Sequence, residues 1–129
     1  MAQHVRIARP VADVARSKAM YVQGLGLHEI GSFQDHEGFD GVMLQGACEG
    51  FHFEFTHHRA GHLLPQPTPE DLTVFYIPDA SEWAHRCTAM LQAGFAEVRP
   101  YNPYWAQKGR TFQDWDGYRV VIVQASWDP

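Results

Sequence analysis

Hydrophobic and polar side chains alternate along FHFEFTHH, residues 51–58. This alternation is typical of a β-strand with one buried face. The three phenylalanines are predicted to share one face of the strand, and His52, Glu54 and Thr56 the other. The polar face is either half of a metal site or the solvent-exposed side of the sheet, and this segment alone does not decide between them.

Similar patterns predict strands at 4–10, 27–33 and 41–46 in the same half of the chain. Between the first two strands, Asp13 is a predicted N-cap for a helix that ends at about Gly24. The expected apolar stripe of this helix consists of Val14, Ala15, Ala19 and Val22.

The same order of elements returns after a proline-containing stretch. A strand over 71–78 precedes a helix that begins at Asp79 and ends at Gly94, and strands follow at 95–100, 109–114 and 118–124. The predicted buried stripe of this helix is Trp83, Ala84, Cys87, Met90 and Leu91.

The chain therefore reads as an internal duplication. We predict an α+β fold with two tandem βαβββ modules, whose mixed sheets carry the helices outside and curl around a shared cavity. The expected boundaries within this single domain of 1–129 are module one at 1–57, a linker at 58–70 and module two at 71–129.

Composition narrows the class of protein. With 129 residues, 45% of them hydrophobic, the chain is long enough for one core. A net charge of −5, without clustered lysine and arginine, argues against a nucleic-acid partner, and no apolar run approaches the length of a membrane span. Cys48 and Cys87 are predicted to be buried thiols, which favours a reducing, cytoplasmic location.

Three motifs carry a family resemblance: DVARSKAMYVQGLGL at 13–27, FHFEF at 51–55 and DWDGYRV at 114–120. Together with the paired modules, they resemble the vicinal oxygen chelate superfamily of glyoxalase I, bleomycin-resistance proteins and extradiol dioxygenases. RIARP, FDGVML, FEFT and NPYW are similar to its YycE-like bacterial branch. Fold resemblance does not fix a reaction, because function depends on the site.

The resemblance implies a metal site with one ligand from the first and last strand of each module. The matching positions here are Arg6 (or His4), Glu54, Thr73 and Val121. Glu54 is the one good ligand among them, since metal sites of this kind use histidine, cysteine or carboxylate. Glu54 with His52 or His4 is the remaining way to hold Zn²⁺, Ni²⁺, Mn²⁺ or Fe²⁺, and no cofactor is otherwise expected.

Without a metal, a carboxylate on a cavity wall needs a cation. We therefore expect Arg6 to contact Glu54 across the cavity, with Arg119 pointing into the same space. Glu54 is then a catalytic base or a polar anchor for a ligand, or part of a structural ion pair. The predicted ligand-binding residues are Arg6, Arg9, His52, Tyr76, Trp105 and Arg119. Tyr76 and Trp105 both have the alternative of a position in the core or in a dimer interface, which is favoured for Tyr76.

Two functions from different classes stay open at this stage. One is a protein that binds a small oxygenated molecule between its modules without a complete metal site. The other is an enzyme, a metal-dependent lyase or dioxygenase. The superfamily and the aromatic content of 13%, including four tryptophans, favour a homodimer.

Overall fold

The computed structural model describes residues 3–46, 48 and 50–128. These fall into two compact units, which meet along the chain between Pro65 and Gln66. Each unit holds one α-helix and one four-stranded mixed sheet. The predicted α+β fold of two repeated modules is therefore confirmed.

The first unit follows the predicted order of elements. Its elements are β1 (Val5–Pro10), α1 (Val14–Leu25), β2 (His28–His36), β3 (Phe39–Gln45) and β4 (Phe51–His58). The sheet order is β1-β4-β3-β2, with β1 parallel to β4 and the other pairs antiparallel. β4 continues through both histidines and so covers the whole of FHFEFTHH.

The turn between β2 and β3 is tighter than the pattern predicted. Glu37 and Gly38 have φ of 50° and 87°. Positive φ at two successive central residues is the geometry of a two-residue hairpin turn that matches the twist of the strands. β2 and β3 consequently extend to His36 and from Phe39.

Helix α1 begins as predicted, because the Asp13 side chain accepts a hydrogen bond from the Arg16 amide at 3.1 Å. It ends at Leu25, one residue later than predicted, and Gly26 follows in the left-handed conformation at φ 69°. The predicted stripe was wrong: the buried residues are Ser17, Met20, Tyr21, Gly24 and Leu25.

The core of the first unit lies between α1 and the helix-facing side of the sheet. Tyr21 packs edge-on against Phe53 and Phe55, with ring centroids 6.1 and 4.8 Å away. Both phenylalanines are buried, as the alternation in this strand predicted.

The second unit repeats the topology. Its elements are β5 (Leu72–Tyr76), α2 (Ala80–Gln92), β6 (Ala96–Val98), a 3₁₀ helix (Pro103–Ala106), β7 (Gly109–Gln113) and β8 (Arg119–Val123). The sheet order β5-β8-β7-β6 has β5 parallel to β8. Asp79 caps α2 as predicted and accepts from the Glu82 amide at 2.9 Å.

The buried face of α2 is narrower than predicted. Cys87 and Met90 are buried, and Trp83 donates from Nε1 to the Ile122 carbonyl at 2.9 Å. Ala84 and Leu91 are exposed, which corrects the outer positions of the predicted stripe.

Two further sequence expectations concern the burial of the cysteines and the absence of a membrane span. Cys87 is buried, as predicted, whereas Cys48 is exposed because it lies in the loop between β3 and β4 rather than in a core element. Within residues 3–46, 48 and 50–128, no helix is both long enough and apolar enough to cross a membrane.

Candidate functional site

Pairing of β1 with β4 decides which side chains share the open face of the first sheet. Arg6 lies beside His52, and Ala8 beside Glu54. Residues paired in register point to the same face. Arg6, His52 and Glu54 therefore lie together on the face away from α1.

Four side chains on this face form one hydrogen-bonded group, which we call the Arg6 network: His4, Arg6, His52 and Glu54. Arg6 donates from Nε to His52 Nε2 at 2.9 Å and from Nη1 to Glu54 Oε2 at 3.2 Å. His52 Nδ1 and His4 Nε2 are 2.6 Å apart. The predicted contact between Arg6 and Glu54 is confirmed, but it joins neighbouring strands of one sheet.

Hydrogen bonding assigns the protonation of His52. Nε2 accepts from a guanidinium that never deprotonates, so the single proton of the neutral ring lies on Nδ1 and is donated to His4. Burial lowers the pKa of His52, the charges of Arg6 and His4 lower it further, and Glu54 opposes them. The network thus holds one cation, one carboxylate and a neutral imidazole, with His52 only 7% exposed.

The residues present do not fit the metal site that the resemblance implied. The lone pair of His52 Nε2 and one oxygen of Glu54 already accept from Arg6. A metal ion needs those same lone pairs, and a guanidinium beside it would repel it. No group of three or more His, Cys, Asp or Glu suited to holding a metal occurs in the part of the chain that the structure describes.

Arg9 lies on the other face of the first sheet. It is paired in register with Phe55, and its guanidinium carbon is 5.6 Å from the centroid of the Phe53 ring. The structure therefore does not bring Arg9 to the Arg6 network. Alternation along β1 explains this, because residues 6 and 9 differ by an odd number of positions.

The predicted positions in the second module do not form a matching pair. Thr73 lies beside Val120, whereas Val121 lies beside Val74. Thr73 and Val121 therefore point to opposite faces of the sheet, and the assignment of Thr73 as the third position was wrong. The third position had been assigned by its distance in sequence from Asp79, the cap of α2. That distance identifies the strand but not which of its residues point to a given face. Val74, which does share the face of Val121, has no ligating atom.

Arg119 is held within the second unit. It donates from Nε to Gln113 Oε1 at 3.0 Å and from Nη1 to the Arg99 carbonyl at 3.4 Å.

Tyr76 and Trp105 are brought together in the second unit. Both line a recess of about 350 Å³ at the ends of β5 and β8, together with Tyr104, Lys108 and Trp127. The sequence interpretation missed Trp127 and Lys108. A tryptophan in an irregular segment directly after a strand was the available signal, since loops carry binding residues more often than strands do.

A larger recess in the first unit, of about 650 Å³, lies at the N-terminal end of α1. Two ion pairs line it, since Lys18 is 2.7 Å from Glu29 and Arg59 is 2.9 Å from Asp40, and Asp13 caps α1. The hydrogen bond from Arg59 lowers the pKa of Asp40, so the carboxylate of this recess already has its cation. The Arg6 network is the better candidate on chemical grounds.

Comparison with known proteins agrees with the fold. The chain matches the YycE-like N-terminal domain over residues 5–56 and the YycE-like C-terminal domain over residues 70–124. It is 40% identical to YycE of Bacillus subtilis (strain 168) over 124 residues, which cover 96% of this chain and 89% of that protein.

Solved structures show which other proteins share this fold. The crystal structure of YycE from Bacillus subtilis superposes with a TM-score of 0.91 at 38% identity, over 98% of this chain and 93% of that one. The fosfomycin resistance protein FosX from Mesorhizobium loti gives 0.74 at 11% identity, over 98% and 94%. Glyoxalase I from Leishmania major gives 0.72 at 15% identity, over 95% and 86%.

The two repeated modules thus have the fold of glyoxalase I and of the fosfomycin resistance proteins, as the resemblance in the sequence motifs implied. Within that class, the chain belongs to the YycE-like family.

Proposed function

We propose that the chain binds a small oxygenated molecule on the open face of its first sheet, at the Arg6 network, without the complete metal site of the superfamily. One observation carries the proposal. The guanidinium of Arg6 is held between a buried neutral imidazole and a carboxylate, while its own side chain remains 50% exposed. A fixed cation that still faces outward is suited to receiving a ligand oxygen.

The free atoms of the network define the ligand chemistry. Among the contacts of the described residues, Arg6 uses Nε and Nη1 and Glu54 uses Oε2, so Nη2 and Oε1 are the atoms left for a ligand. Nη2 donates to a carbonyl oxygen, and Oε1 accepts from a hydroxyl. A molecule with a carbonyl next to a hydroxyl satisfies both. Because His52 and Glu54 already hold the guanidinium in place, little side-chain entropy is lost when the ligand binds.

Nuclear magnetic resonance titration with hydroxyacetone tests this proposal, with acetone as the analogue that lacks the hydroxyl. We expect saturable shifts of the β1 and β4 amide signals with hydroxyacetone, and weaker shifts with acetone. The dissociation constant should be about millimolar, because a ligand of this size makes few contacts. The Arg6→Met variant should lose the response, and Glu54→Gln should weaken it.

Arg59→Met is the matched control, because Arg59 is also 50% exposed and pairs with a carboxylate, Asp40, in the same unit. It should leave the titration unchanged. Equal responses of the wild type and Arg6→Met would refute the proposal.

The alternative function is that of a metal-dependent lyase or dioxygenase. His4, His52 and Glu54 are ligand types for such metals and lie in one network, so this alternative requires Arg6 to release the lone pairs that it occupies. Zn²⁺, Ni²⁺, Mn²⁺ or Fe²⁺ should be added to chelator-treated protein while the melting temperature is followed. A site specific to the folded state would stabilise it by about 2.7 kcal/mol at a hundredfold excess over the dissociation constant. We expect no such shift. A shift that Glu54→Ala abolishes would favour the enzyme.

A further inference from the structure

The second unit contains a recess whose walls are aromatic and largely open to solvent. Its rings come from the end of β5, from the 3₁₀ helix and from the segment after β8. Tyr76, Tyr104 and Trp127 are 38%, 61% and 67% exposed. Large apolar rings concentrated around one concavity are unusual on a protein surface unless they contact something. We infer that this recess is a second binding site, which takes a planar aromatic small molecule.

The rings are positioned as walls of the recess. Tyr76 and Trp127 approach from two different segments, with centroids 5.9 Å apart and planes inclined at 46°. Tyr104 and Trp105 meet edge to face at 5.0 Å and 80°, so each fixes the orientation of the other. A flat ligand between these pairs can stack on some ring faces and meet the edges of others, the two arrangements that aromatic pairs prefer.

Backbone hydrogen bonds hold the segments that carry the rings. The segment after β8 is joined to the start of β7 through the Gln124 amide and the Lys108 carbonyl, at 2.8 Å. The 3₁₀ helix is capped by Asn102, whose side chain accepts from the Tyr104 amide at 3.0 Å. Gly109 lies so close beneath it that a Cβ there would be 2.7 Å from the Trp105 carbonyl oxygen. The recess is therefore a built feature of the fold.

The size and the polar lining indicate a small molecule. A volume of about 350 Å³ lies at the lower end of the range for small-molecule sites and is too small for a helix. Lys108 and Asp128 also line the recess, and a few polar groups among apolar ones are typical of such sites. A second protein copy would instead favour a broad, flat aromatic surface.

Fluorescence titration with 2-naphthol, an uncharged planar aromatic probe, tests the inference on the whole chain. We expect saturation at one probe per chain. Trp127→Ala should weaken the affinity at least tenfold, and so should Tyr104→Ala. Both rings lie outside the core, and thermal unfolding of each variant will show that the fold is retained.

Trp115→Ala is the matched control, since it removes the same ring from a partly exposed position that does not line the recess. It should leave probe affinity unchanged, as should Arg6→Met, which separates this site from the Arg6 network. Absence of saturable binding would overturn the inference, and so would an equal loss in Trp115→Ala. A lower mass of Trp127→Ala in light scattering, with unchanged probe affinity, would also overturn it and assign the surface to a second copy.

Discussion

His52 lies between a permanent cation and a second imidazole, and one protonation state of its ring suits both neighbours. The neutral ring accepts from Arg6 and donates to His4. A second proton on His52 would leave Arg6 Nε without its acceptor and place two cations side by side. The position of Arg6 therefore depends on a neutral His52.

This dependence predicts how stability varies with pH. The pKa of His52 is lowered in the folded protein, chiefly by burial, so the unfolded chain binds more protons near its ordinary value of 6.5. The contribution of His52 to stability is fully present above that value and is lost as the pH falls through the folded pKa. We expect the unfolding free energy between pH 8 and 5, measured with urea, to fall less steeply in His52→Gln than in the wild type.

The ring signals of His52 in ¹⁵N-labelled protein provide a direct check. At pH 7 they should show a neutral ring with its proton on Nδ1. A ring already doubly protonated at that pH would contradict both the prediction and the proton assignment.

Some positions of the Arg6 network could be predicted from the sequence, and its hydrogen bonds could not. Alternation in FHFEFTHH correctly put His52 and Glu54 on one face, because the period of a strand is fixed. His4 and Arg6 entered as alternatives, yet they lie two positions apart and both join the network. The hydrogen bonds that connect them depend on the register between β1 and β4, which no local pattern contains.

At the scale of elements, order and caps were easier to predict than faces. Asp13 and Asp79 cap their helices by local hydrogen bonds, so short-range sequence is sufficient. The buried face of α1 includes Ser17 and Gly24, which a prediction based on the spacing of large apolar residues does not select. Their small size suits close packing of the helix on the sheet, and that is a tertiary property.

Close packing also occurs on the open face of the first sheet, where the ring of Phe33 on β2 covers Gly41 on β3. A Cβ at residue 41 would be 2.3 Å from the Phe33 ring. Gly41→Ala should therefore force the ring or the strand to move and cost about 1–3 kcal/mol, as overpacking does. Urea unfolding would measure this loss.

Phe33→Leu in the Gly41→Ala background provides the control, because a smaller side chain relieves the clash. Partial recovery of stability is expected relative to the sum of the two single changes. Strictly additive effects would show that the ring is not the cause.

For the whole molecule, the duplicated order of elements was enough to predict the fold, since two βαβββ patterns have few ways to bury their faces. The chemistry was harder to predict. Thr73 was assigned to the wrong face by a one-residue error of phase, which reverses every side chain in a strand. The aromatic recess depends on the path of the segment after β8, which brings Trp127 beside Tyr76. The sequence of this segment has no periodic pattern from which that path could be predicted.

We also predict that the chain forms a homodimer. Ile30 on β2, an edge strand of the first sheet, is 46% exposed. Apolar side chains on sheet edges favour association with another chain. Light scattering at micromolar concentration should give about twice the chain mass of 14.7 kDa. A mass of one chain across a dilution series would contradict this.

The strand order has a consequence for synthesis on the ribosome. In each unit the first strand pairs with the last. The hydrogen bond between Arg6 and His52 therefore cannot form until another 46 residues have been synthesised. At about 5–20 residues per second, that is roughly 2–9 seconds during which the nascent β1 has no neighbour. Two arginines and Pro10 make this strand a poor template for wrong partners in that interval, since charge and proline discourage edge pairing. The side chain that anchors the Arg6 network thus also protects the chain while it is being made.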